Sequence, residues 1–183
     1  MSGRPILTAL ALVAMFQAGC QSASQNTSTS TTANAAAETN KAAVRHFMDK
    51  ALAGGDTTIV DSMLAENFVE HQVFPGNAPD RNGVKAFIVQ WHAAFPDLKV
   101  DIHDMAADSN EVWVYSTMSG TMTGPLMGMK PTGKSFQSEG FDLIRFEDGK
   151  VVEHWGAMDN GAMMEQLGVS MPAAPGSKPA KRG

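Results

Sequence analysis

After residue 40 the apolar positions recur first at helical spacing and then in alternation, so the chain reads as helices followed by strands. Val44, Phe47, Met48 and Leu52 share one helical face; Thr39 or Asn40 is placed to cap it, and Gly54-Gly55 stops it. Asp56 is set to cap a second short helix carrying Ile59, Val60, Met63 and Leu64. The stretch from Asn67 to Val73 alternates like a strand. A third helix is predicted from about Asn82 to Ala94, with Val84, Phe87, Ile88 and Trp91 on one stripe. Phe95-Pro96-Asp97 ends it, because proline pushes the residue before it out of helical geometry. Four alternating or β-branched runs follow, Leu98 to Ala106, Glu111 to Thr123, Ser135 to Glu147 and Lys150 to Met158. Asp108-Ser109-Asn110 and Asp148-Gly149 suit hairpins between neighbours. Residues 124–133 form a breaker-rich, methionine-bearing loop, read as a pocket rim, and Asn160 to Leu167 forms a last helix with Gly168 at its C-cap.

This order specifies an α+β fold in which about three N-terminal helices pack on one face of a curved antiparallel sheet. The space between them is a cone lined by alternate strand residues, a natural place for a small apolar ligand. Residues 39–169 hold this domain.

The two ends differ in composition. Arg4, the apolar run from Ile6 to Phe16 and Gln17-Ala18-Gly19-Cys20 have the basic, hydrophobic, small-residue order of a secretory signal over residues 1–19. The segment resembles a bacterial lipoprotein signal, which implies lipidation of Cys20 and a membrane-anchored, exported protein, although Gln17 stands where an aliphatic residue is usual; a plain signal with a chance cysteine is the other reading. Residues 20–38, rich in Ser, Thr, Asn and Ala, read as a disordered tether and residues 170–183 as a disordered tail. A lone cysteine excludes an intrachain disulfide. The net charge of −5 leaves no basic stripe except Lys178, Lys181 and Arg182, which argues against nucleic acid as a partner.

Phe68-Val69-Glu70-His71, Phe95-Pro96-Asp97-Leu98, Pro131-Thr132-Gly133-Lys134 and the run from Arg145 to Trp155 followed by Asp159 carry a resemblance through their joint order. The chain resembles the SnoaL-like polyketide cyclase, or ester cyclase, family of the nuclear-transport-factor-2-like superfamily, from about Ala42 to Gly168. The resemblance implies a cystatin-like cone and intramolecular aldol chemistry without metal or organic cofactor. It also implies a homodimer through the sheet and an acid/base aspartate near the end of the last strand, the position taken by Asp159. Met122 replaces the histidine common in a Gly-Thr-His of relatives, and a basic residue often found near Tyr115 is missing, so a polar pocket group is lost.

An aldol closure or isomerisation beside a carbonyl needs a base for a carbon-bound proton and a donor for the enolate oxygen, both in a dry pocket. Asp159 is the candidate base, and equally a residue that caps the last helix. His71 is the candidate polarising partner, or a buried histidine satisfied by backbone. Trp91, Tyr115, Met122, Phe141 and Trp155 are assigned to the pocket wall. His46, His92, His103 and His154 have no metal-site spacing and read as scattered surface residues, and no metal is expected. The methionines read either as an adaptable lining or as core filler. The leading expectation is a cofactor-independent cyclase or isomerase acting on a small apolar carbonyl compound. The alternatives are a lipoprotein that only binds such a molecule, and a filled cone whose open sheet face serves dimerisation.

Overall fold

The computed structural model describes residues 21–169; the signal expected over 1–19, Cys20 and the tail expected over 170–183 lie outside them. Of the described residues, those over 21–32 belong to one unit and those over 33–169 to another. The element order is α1 (Gln21–Phe47), a π-helical turn (Met48–Ala53), α2 (Thr58–Met63), β1 (Leu64–Glu70), α3 (Arg81–Ala94), β2 (Lys99–Ala107), β3 (Glu111–Thr121), β4 (Ser135–Glu147), β5 (Lys150–Met158) and α4 (Asn160–Leu167). No helix among the described residues is long and apolar enough to cross a membrane.

The first helix starts earlier than Thr39: the residues read as a tether are helical from Gln21. Within the second unit the reason is local. Ala35, Ala36 and Ala37 are strong helix formers, and Ala37, Asn40, Val44 and Met48 are buried at successive three- and four-residue steps. Asn40 is no cap; its amide donates to the Ser109 carbonyl at 3.0 Å and ties the helix to the β2–β3 turn. α3 is capped by Asp80, whose Oδ1 accepts from the amides of Asn82 (2.8 Å) and Gly83 (3.0 Å).

The sheet order is β1-β5-β4-β3-β2. Strands β2 to β5 form an antiparallel meander, and β1 adds parallel to β5 at one edge, so the sheet is mixed only there. The β4–β5 register is set by Asp148-Gly149, both at positive φ (48° and 74°), as a two-residue hairpin with the right-handed strand twist requires. It pairs Ile144 with His154 and Asp142 with Gly156. Strand β1 ends at Glu70, so His71 lies just past it, its amide donating to the His154 carbonyl at 2.9 Å.

Among the described residues the core has two clusters. Val44, Met48, Val60, Ile88, Val114 and Ile144 centre the first, between the helices and the inner sheet face. Phe95, Met122, Leu126, Phe136, Met163 and Leu167 centre the second. The loop after β3, expected as a pocket rim, instead buries Leu126 in that second cluster.

Candidate active site

The first cluster is hollow. A cavity of about 150 Å³ opens between α1, α3 and the inner sheet face, walled by Phe47, Phe68, Phe74, Phe87, Trp91 and Met118. Its charged groups are Glu70, Asp142 and His154, with the amide of Gln72 beside them.

Three adjacent strands build this polar end. Glu70 closes β1 and pairs with His154 across the parallel β1–β5 ladder, while Asp142 lies on β4, on the other side of β5. Side chains two apart on a strand share a face, so His154 and Gly156 both point inward and Asp142 meets them from the neighbouring strand. His154 Nδ1 lies 2.9 and 2.8 Å from the two Glu70 oxygens, and Nε2 lies 3.1 Å from Asp142 Oδ1. Glu70 Oε1 also accepts from the Gln72 amide at 2.8 Å, which fixes the carboxylate that orients the ring.

Burial disfavours a charged imidazole, but hydrogen bonds to Asp142 and Glu70 and the charges of both outweigh it and raise the His154 pKa to about 9. At neutral pH His154 is therefore an imidazolium with both N–H groups committed to carboxylates. It is no proton acceptor there. Asp142 Oδ2 takes part in no hydrogen bond among the described residues and the side chain lines the cavity, so Asp142 is the group with capacity to accept a proton from a ligand. The three groups together carry one negative charge.

The residues picked from the sequence fall elsewhere, Trp91 excepted. Asp159 is exposed and caps α4, its Oδ1 accepting from the Ala162 amide at 2.8 Å; it does not line the cavity. The capping reading describes its geometry, because the chain turns from β5 into α4 at that residue and leaves a free helix amide for it to satisfy. His71 stacks flat on Trp155, centroids 4.3 Å apart, and reaches Glu153 at 3.3 Å, so both rings lie outside the pocket. Trp155 is the strand neighbour of His154 and must face the other way. Tyr115 donates to Glu139 at 2.7 Å and stacks on Phe141 on the same outer face. Met122 is fully buried in the second core cluster and fills space there. Trp91 lines the cavity as expected.

Glu70, Asp142 and His154 were missed as a group. Two of them were within reach: the Asp148-Gly149 hairpin fixes a register in which Asp142 and His154 share the inner face. Glu70 was not, because its place depends on a parallel pairing between strands eighty residues apart, for which the sequence carries no local signal.

A family model described as SnoaL-like polyketide cyclase matches residues 42–167. The chain is 32% identical over 101 residues to nogalonic acid methyl ester cyclase of Streptomyces nogalater, a match covering 53% of this chain and 75% of that protein. It is 29% identical over 123 residues to aklanonic acid methyl ester cyclase DauD of Streptomyces sp. strain C5, covering 63% of this chain and 76% of that one. Among solved structures, TsrD from Streptomyces laurentii superposes with a TM-score of 0.66 at 26% identity, covering 73% of this chain and 97% of that chain.

Because the folded-state pKa of His154 is raised, its stabilisation is complete below its ordinary value of 6.5 and is lost as pH climbs toward about 9. Thermal melts between pH 6.5 and 9 are expected to show a falling Tm, and the fall should flatten in His154→Gln; an unchanged slope in that variant would assign the pH dependence to other groups.

Proposed function

The chain belongs to the SnoaL-like polyketide cyclase family, and from that membership we propose that it closes a ring in an uncharged polycarbonyl ester by intramolecular aldol chemistry, with Asp142 as the acid/base. The observation that carries this reading is a cavity-lining carboxylate held by the His154 imidazolium at one end of a mainly apolar pocket. Asp142 takes a proton from a carbon next to a carbonyl. The C–H electron pair moves to the carbonyl oxygen to give an enolate, and the enolate carbon attacks a second carbonyl of the same molecule. The alkoxide so formed recovers the proton from Asp142. Atoms and charge balance without a co-reactant, so this chemistry needs no cofactor.

His154 holds Asp142 in place and supplies fixed positive charge beside it, while Glu70 holds His154. The net negative charge of the group disfavours a free carboxylate in the ligand and accommodates a methyl ester, the substrate form in the names of the two relatives. The aromatic walls suit a flat ring system. The polar end distinguishes this reading from a binding-only lipoprotein, since simple capture of an apolar molecule gives no reason for two carboxylates around one histidine.

A second copy of the chain is proposed to cover the outer sheet face. Trp113 and Phe141 are 54% and 56% exposed there, and Tyr115 stacks on Phe141 with centroids 4.8 Å apart. Arg145, paired with Glu111 and Glu153, supplies both signs of charge at the margin, as a self-complementary contact needs. Export and anchoring through Cys20 remain part of the proposal on the strength of the sequence alone.

With nogalonic acid methyl ester as test substrate and ring closure followed by chromatography, Asp142→Asn is expected to lower kcat about 10²- to 10⁴-fold. Asp159→Asn should leave turnover near wild type, and Asp159→Ala should lower stability by about 1 kcal/mol through loss of the cap. The opposite ranking of the two aspartates would refute the assignment. Phe141→Glu is expected to convert a dimer to a monomer in analytical ultracentrifugation without loss of fold; a monomeric wild type would end the dimer reading. Labelled palmitate should enter the wild type and not Cys20→Ser, and equal labelling of the two would exclude the anchor.

A further inference from the structure

Ring closure needs, besides a base, a donor at the oxygen on which charge collects, and His154 does not supply it because both its N–H groups are taken by carboxylates. Gly156 shows where such a donor stands. It lies inside β5 opposite Asp142, and a glycine in a strand interior weakens the strand while letting another group approach closely. The group here is Gln72. A Cβ on residue 156 would lie 2.1 Å from Gln72 Oε1, 2.8 Å from its Cδ and 3.1 Å from Asp142 Oδ1. The Gln72 carboxamide therefore fills the space that any other residue at 156 would occupy, next to the proposed base. Its Oε1 is the atom nearest that position, and Nε2 lies farther from it.

Two further facts make that nitrogen available. Gln72 lines the cavity, and among the described residues its side-chain amide has no hydrogen-bond partner. Its backbone is held from the other side, since the Gln72 N–H donates to Glu70 Oε1 at 2.8 Å. The Gln72 backbone is thus fixed by the carboxylate that orients His154, and base and donor spring from one framework.

We propose that Gln72 is a catalytic residue whose Nε2–H group binds the carbonyl oxygen that becomes the enolate oxygen, and that Gly156 is the gap that admits it. The inference rests on the ring-closure reading and adds an electrophilic group to it. As Asp142 removes the proton, the C–H electron pair passes to the oxygen held by Gln72; as the new C–C bond forms, that oxygen returns to a carbonyl and the hydrogen bond weakens. Ser116 also lines the cavity, but it pairs with Gly140 on β4 and has no place in the space over Gly156.

The test uses 2-naphthol, whose ionised form carries negative charge on an oxygen attached to a flat ring, bound to the full chain carrying Asp142→Asn so that the base does not repel the anion. Absorption gives the ratio of bound naphtholate to naphthol at fixed pH. Adding Gln72→Leu is expected to lower that ratio about tenfold or more, the size of a hydrogen bond to a charged group. Gly156→Ala should act in the same direction, because the new methyl meets the mobile end of Gln72 and expels the amide. In the Asp142 background without other changes, Gln72→Leu should lower kcat for the methyl ester with little change in KM. A ratio that stays constant in Gln72→Leu, or that moves in Ser116→Ala instead, would overturn the role of Gln72 while leaving Asp142 as base. Failure of 2-naphthol to bind any variant would take down the pocket reading, and this inference with it.

Discussion

One imidazolium shared by two carboxylates across three neighbouring strands is the contact on which the open end of the pocket depends. Glu70, His154 and Asp142 come from β1, β5 and β4, and each is only half-buried or less accessible than that, so none is fully solvated. Two carboxylates close together in an apolar hollow repel each other, and the imidazolium between them offsets that repulsion. Removing one member of such a group leaves a charge without compensation, a loss of about 3–5 kcal/mol in buried pairs and less where water reaches the site, as it does here. The same contact ties β1, an edge strand held by a parallel ladder with an irregular register, to the middle of the sheet.

The rest of the hollow is organised around that polar end. Phe74, Phe87 and Trp91 form one ring cluster, with Phe74 and Phe87 centroids 4.5 Å apart and Trp91 5.0 Å from Phe87. Trp91 also packs on Phe95 and Phe136 of the second core cluster, so a wall of the cavity is held by the solid part of the protein. A rigid apolar wall facing fixed charges keeps the local dielectric low, which strengthens every interaction at the polar end relative to water. Methionine is split between the two roles the sequence allowed: Met118 and Met158 line the cavity, while Met122 and Met163 fill the core.

Much of the fold was legible because its signals are local. The Asp148-Gly149 turn, the α3 stripe and the Gly168 cap at φ 69° are each decided within a few residues, and the predicted spans of β4, β5 and α4 coincide with those observed. The candidate site was much less legible. Asp159 carries the sequence signature of both a cap and an acid, and the backbone chooses the cap by placing it at the first turn of α4. His71 sits next to a strand end, where a shift of β1 to Leu64–Glu70 makes Glu70 the inward residue and leaves His71 stacked outside. His154 reads as a surface histidine in the sequence because its partners lie on two other strands, one of them joined only through tertiary pairing. Gly156 gave no signal at all, since the reason for its missing side chain is a glutamine more than eighty residues earlier.

The most direct test of where the chemistry resides is a crystal structure of the Asp142→Asn protein with nogalonic acid methyl ester bound. The ester is expected inside the hollow, its acidic carbon against residue 142 and its adjacent carbonyl oxygen toward Gln72. A ligand seated with its reactive carbon beside Asp159, or on the outer sheet face near Trp155, would contradict this placement.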